Sequence, residues 1–172
     1  MFGLILTEGA AACFIVLLNC VAGIANGPLG MVFLYEKDVQ QRVIARGTLT
    51  KDQIDRQKRN FLLFGILPFY IFVMFAVYGI NGTRGFFSGF WQICILLLIE
   101  GLFDRLFIDG WWVGKTKAWL IPETEDLMPY IPDHTRSLKW MITLIGYPVI
   151  AAVLSAVMTL ILALCSLINP AT

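Results

Sequence analysis

The stretch from Phe86 to Gly110, FFSGFWQICILLLIEGLFDRLFIDG, decides the fold. Its first fourteen residues carry no charge. They do not alternate apolar and polar side chains as a half-buried strand would. The run is long enough to cross a bilayer core as a helix, which needs about 20 mostly apolar residues. It then places Glu100, Asp104, Arg105 and Asp109 where lipid-spanning residues should stand. Ionisable groups at membrane depth are expensive, so four of them together mark a candidate site.

The rest of the chain agrees with that reading. Of its 172 residues, 58% are hydrophobic and only 15% are charged, against about a quarter charged in soluble domains. Three further apolar runs extend from about Leu6 to Tyr35, Phe61 to Ile80 and Leu138 to Ile168. With the third span over 86–108, the expected class is all-α. It is a polytopic membrane protein of one domain, with four transmembrane helices and a helical hairpin between the first two. The first residues lack a basic region followed by a small-residue cleavage site, so no cleaved leader is expected.

Charge sets the orientation. Lys37, Arg42, Arg46, Lys51, Arg56, Lys58 and Arg59 crowd the first connection, 36–60, and Lys115, Lys117, Arg136 and Lys139 follow the third span. The second connection holds only Arg84. Both basic connections are therefore expected in the cytoplasm and both termini outside, in a bacterial plasma membrane. A net charge of +1 gives no nucleic-acid signal. Within 36–60, Gly47 is a natural helix stop. Thr50 and Gln53 then form a capping box, with Leu49 and Ile54 as its hydrophobic staple.

Several positions inside the spans predict packing. Asn19, Gly23, Asn26 and Gly30 recur on one helical face, and Gly23 with Gly27 permits close helix approach. Pro28, Pro68 and Pro148 predict kinks. Ala152, Ser155, Ala156, Thr159 and Ala163 form a second stripe of small residues. Asn81-Gly82-Thr83 reads as a turn. Cys13, Cys20, Cys94 and Cys165 lie in apolar runs without metal spacing.

The candidate chemistry centres on the third span. Glu100 and Asp104 share a helical face, and two carboxylates this close call for a proton or a cation between them. A divalent cation at Glu100 and Asp104 is one expectation. Arg105 pairing with Asp109, as an ion-pair set at a helix end, is the other. His134, the single histidine, joins the set if the Pro-rich connection folds back; alone, it excludes a bis-histidine haem and a multi-histidine zinc site. Gly110-Trp-Trp-Val-Gly114-Lys115-Thr116 imitates a phosphate loop, but its spacer is short and tryptophans replace small residues, so no nucleotide is expected. Trp111, Trp112, Lys115, Lys117 and Trp119 read instead as a membrane-interface segment contacting lipids.

Two segments, YEKDVQQRVIARGTLTKDQI and FDRLFIDGWWVGKTKAWLIPETEDLMPY, together give the chain its resemblance to uncharacterised small four-span bacterial integral membrane proteins. The likeness covers most of the chain. It implies Asp104, Asp109, Thr124 and Tyr130 as positions of interest and supplies no activity. In that pattern glycine stands at the position of Glu123. Three functions are compatible with these residues: cation or small-ligand binding of a transport or accessory-subunit kind, a membrane enzyme acting on a lipid or isoprenoid, and a structural subunit. Two small-residue stripes on four short helices also favour a homo-oligomer or a place in a membrane complex.

Overall fold

A computed structural model describes residues 2–168, which are helical with no strand. Four helices are long and apolar enough to span a membrane: α1 (Phe2–Ile24), α3 (Lys51–Ile80), α4 (Phe86–Val113) and α5 (Asp133–Ile168). A short helix, α2 (Lys37–Ala45), lies between the first two. The central element is α4, which packs on both α1 and α5. Its glycines permit those contacts. A Cβ on Gly9 of α1 would strike Ile99, and one on Gly101 would strike Tyr147 and Thr143 of α5. Leu, Ile, Phe and Val side chains cover the lipid-facing surfaces, as expected where the solvent is hydrocarbon.

The first span departs from the continuous, Pro-kinked helix expected over 6–35. Helix α1 stops at Ile24. Gly27 takes φ 97° and ψ 167°, a conformation open essentially to glycine alone. Pro28 then opens a tight helical segment, Pro28–Leu34, that folds back on the end of α1. Gly30 lies so close to the Gly23 carbonyl that a Cβ there would stand 2.1 Å from the oxygen. Gly23 and Gly27 therefore shape a turn rather than a helix-pairing face, and Asn26 is exposed. Gln57 donates to the Leu29 carbonyl at 3.0 Å and the Phe61 ring meets that of Phe33 at a tilt of 46°, so α3 packs against the folded-back segment.

The expected start and stop signals of the basic connection are present. Gly47 adopts φ 70°, and Thr48 N–H reaches back to the Val43 carbonyl at 3.2 Å, closing α2. The Thr50 hydroxyl accepts from Gln53 N–H while the Gln53 side chain accepts from Thr50 N–H, a complete capping box for α3. Leu49 and Ile54 join one apolar cluster with Met31, Val32 and Tyr35.

Wide turns with i→i+5 hydrogen bonding replace sharp kinks. One covers Leu62–Ile66 just before Pro68, another Ile142–Gly146 just before Pro148. In each case the wide turn accommodates the missing proline N–H and the crowded carbonyl behind it. Two more, Phe75–Ile80 and Asp104–Val113, have no proline to explain them, and the second carries three of the four charges on α4. The packing face of α5 is formed by Tyr147, Ala151 and Ser155, with Leu154, Met158 and Leu162 beside it; Ala156 and Ala163 of the expected stripe face outward. Asp133 is the first helical residue of α5, one place later than the cap expected of it.

Candidate functional site

The Leu62–Ile66 and Asp104–Val113 turns, with Lys139 and Tyr147 of α5 and Val16, Asn19 and Cys20 of α1, border a cavity of about 320 Å³. Its walls are mostly apolar and aromatic, with Phe61, Phe69, Tyr70, Tyr147 and Ile108 prominent. Glu100, Asp104, Arg105 and Asp109 reach it from α4, and Lys139 from α5. All four residues of the charged stretch are thus brought together. Lys139 lies thirty residues further along the chain, and no pattern within either segment signals that it joins them.

The charges are not equivalent. Arg105 bridges Asp104 and Asp109 in one almost buried group. Lys139 Nζ binds both oxygens of Asp109, at 2.8 and 3.0 Å. Asp104 and Asp109 therefore have cations of their own, as the ion-pair expectation had it. Glu100 does not. It is only 5% exposed, forms no ion pair among the described residues, and has the phenol of Tyr147 as its polar neighbour. Two donors in the cavity wall also stand without partners among the described residues: Arg105 Nε and Trp119 Nε1.

No group of three or more His, Cys, Asp and Glu side chains that could hold a metal ion occurs among the described residues. At Asp104 the Arg105 guanidinium occupies the role expected of a divalent cation. His134 lies exposed on the first turn of α5 and does not line the cavity, because the connection before it folds over the mouth through other residues.

Those residues form a strap at the basic end of the cavity. Trp119, Tyr130 and Ile131 close it. The Tyr35 hydroxyl donates to the Trp119 carbonyl at 2.6 Å, and its ring meets Tyr130 edge-on at 5.0 Å. Burial pushes the Tyr35 phenol above its ordinary range, so it remains a donor. Thr124 donates to the Ile121 carbonyl at 2.8 Å and shares a 2.8 Å hydrogen bond with Tyr130. Thr124 and Tyr130, two of the four positions of interest named above, thus sit in the strap's buried core. Trp119 departs from the interfacial role expected for it: it is 3% exposed, packed on Trp112 and Tyr35. Trp111, Lys115 and Lys117 are exposed and Trp112 half-buried, positions compatible with a membrane surface.

Helix α2 latches the strap from outside. Arg42 grips Asp126 with two hydrogen bonds, at 3.1 and 2.9 Å. Arg46 pairs with Glu123 at 3.0 Å and donates to the Pro122 carbonyl. The Arg42 guanidinium holds the Asp126 carboxyl below the usual carboxylate range, so this contact is fully formed at neutral pH.

A second polar network, at the opposite end of the bundle, has no counterpart in the sequence reading. Asn81 donates to Glu8 at 3.0 Å and to Gln92 at 2.9 Å, and Gln92 donates to Thr83 at 2.8 Å. It ties the 81–85 turn to α1 and α4. Comparison with protein-family models, with curated proteins and with solved structures gives no match for this chain.

Proposed function

We propose that this chain binds a small amphipathic molecule within the bilayer, as a transport-type or accessory membrane protein. The polar group of the ligand sits at Glu100 and its apolar body against the aromatic wall. The observation that carries this reading is Glu100 itself, a buried carboxyl with no cation in the wall of a cavity whose other carboxylates are paired. A buried carboxyl without a cation either gives up its charge or gains a partner, and the polar group of a ligand supplies that partner. The cavity volume matches the lower range of small-molecule sites, about 300–1,000 Å³. The basic end, with α2 and the strap, is assigned to the cytoplasm and both termini to the other side.

The test uses protein extracted from host membranes into nanodiscs and examined by native mass spectrometry. The wild-type chain is expected to retain a bound small molecule. Glu100→Gln loses it, and Glu100→Asp, which keeps the carboxyl, retains part of it. Equal occupancy in wild type and Glu100→Gln defeats the reading.

A further inference from the structure

Helices α3 and α5 both pack on α4, yet hardly on each other. Their direct link is the hydrogen bond from the Tyr78 hydroxyl to Ser155 at 3.1 Å, toward the end of the bundle opposite the strap. From the cavity to that link, where Tyr78 itself lines it, and on to Gly79 and Met158, an open apolar groove runs along the lipid-facing side. Tyr70, Ile71, Met74, Phe75 and Gly79 of α3 line it, with Met158 of α5 across from them. Tyr70 belongs to both the groove and the cavity, so the two adjoin. From Tyr70 to Gly79 the groove follows nine helical steps, about 13 Å, a length suited to an alkyl chain. Ile71 and Phe75 are largely exposed and form its rim.

The charges say what the head of such a molecule carries. Three carboxylates face the cavity against two cations, and both cations are engaged with Asp104 and Asp109. A cationic head restores the balance at Glu100, whereas an anionic head meets an excess of like charge.

Resting on the amphiphile-binding reading, we propose that the ligand reaches the cavity sideways from the bilayer, through the seam between α3 and α5. It is a chain-bearing amphiphile whose head is a protonated amine. The head pairs with Glu100 and the chain lies along the Tyr70–Gly79 groove.

The experiment uses the full chain in phosphatidylcholine nanodiscs with three photoreactive probes: hexadecylamine, hexadecanol and palmitate, each with a diazirine on the chain. After irradiation, labelled residues are mapped by mass spectrometry. The amine is expected to label residues 71–75 and Met158 about tenfold more than either other probe, the ratio an added charge-assisted contact provides. Glu100→Gln abolishes that excess, Glu100→Asp restores part of it, and background labelling of exposed Phe14 and Leu160 stays constant. Equal labelling of the groove by all three heads overturns the amine assignment. Glu100-dependent labelling confined to strap residues 119–131 overturns the sideways route while leaving the binding reading intact. Absence of any Glu100-dependent labelling overturns both.

Discussion

Replacing Gly30 by alanine separates two descriptions of the first span with opposite signs. If residues 6–35 formed one kinked helix, alanine would stabilise the protein by up to about 1 kcal/mol through helix propensity. In the folded-back arrangement the new Cβ would lie 2.1 Å from the Gly23 carbonyl oxygen and 3.3 Å from its carbon. Ordinary contact demands a retreat of more than 1 Å. The obstructing atom belongs to the backbone, so no rotamer change relieves it. Overpacking costs about 1–3 kcal/mol where side chains can yield; here the upper end, about 3 kcal/mol, is expected. Reversible unfolding in mixed micelles titrated with SDS, followed by helical circular dichroism, measures the difference. Gly3→Ala is the control, since nothing lies within 4 Å of its Cβ position; a change within about 0.5 kcal/mol is expected there. Equal or greater stability of Gly30→Ala would refute the folded-back turn. Because that turn delivers Leu34 and Tyr35 to the cavity wall, amine labelling of the groove should weaken in the same variant.

Arg105→Ala removes the cation shared by Asp104 and Asp109. Breaking a buried pair costs about 3–5 kcal/mol, and because Lys139 still serves Asp109, the lower end is expected in the same unfolding assay, with more than half recovered by a second change, Asp104→Asn. Glu123→Gly should stabilise the strap despite losing the exposed pair with Arg46. Glu123 sits at φ 64°, a strain of about 1–2 kcal/mol for a residue with a Cβ. The added unfolded-chain entropy of glycine offsets only about 0.4–1 kcal/mol, so slower hydrogen exchange over residues 121–127 is the expected outcome and faster exchange counts against it.

The spans, their order and the capping of α3 were legible because each depends on local chemistry. Apolar run length identifies a helix that can cross a membrane, and Thr50 with Gln53 completes a box within one turn. The end of α1 was not legible. Gly23, Gly27 and Gly30 have the same spacing whether they pair two helices or close a turn; what separates these outcomes is the contact of Gly30 with Gly23, which periodicity does not encode. The site was half legible for a related reason. Glu100, Asp104, Arg105 and Asp109 lie within ten residues, so one helix sufficed to gather them. Lys139, Tyr35 and Tyr130 reach the cavity only because α5 packs on Gly101 and the strap folds across the mouth.

The wide turns help distinguish support from function within the charged stretch. Those before Pro68 and Pro148 follow from a missing N–H, and similar turns arise wherever a helix accommodates proline. The turns at Phe75–Ile80 and Asp104–Val113 have no such cause; within the second, Arg105 ties together residues near its start and middle, and Lys139 joins it to α5. Asp104, Arg105 and Asp109 thus have a sufficient role in shaping the end of α4. Glu100 stands in the regular α-helical part of α4, one residue before the glycine that permits α5 to approach. No turn requires it, no ion pair holds it, and an apolar residue would satisfy the helix better. A carboxyl at such a position, facing a cavity, is the reason the proposed function centres on Glu100 rather than on the ion pairs beside it.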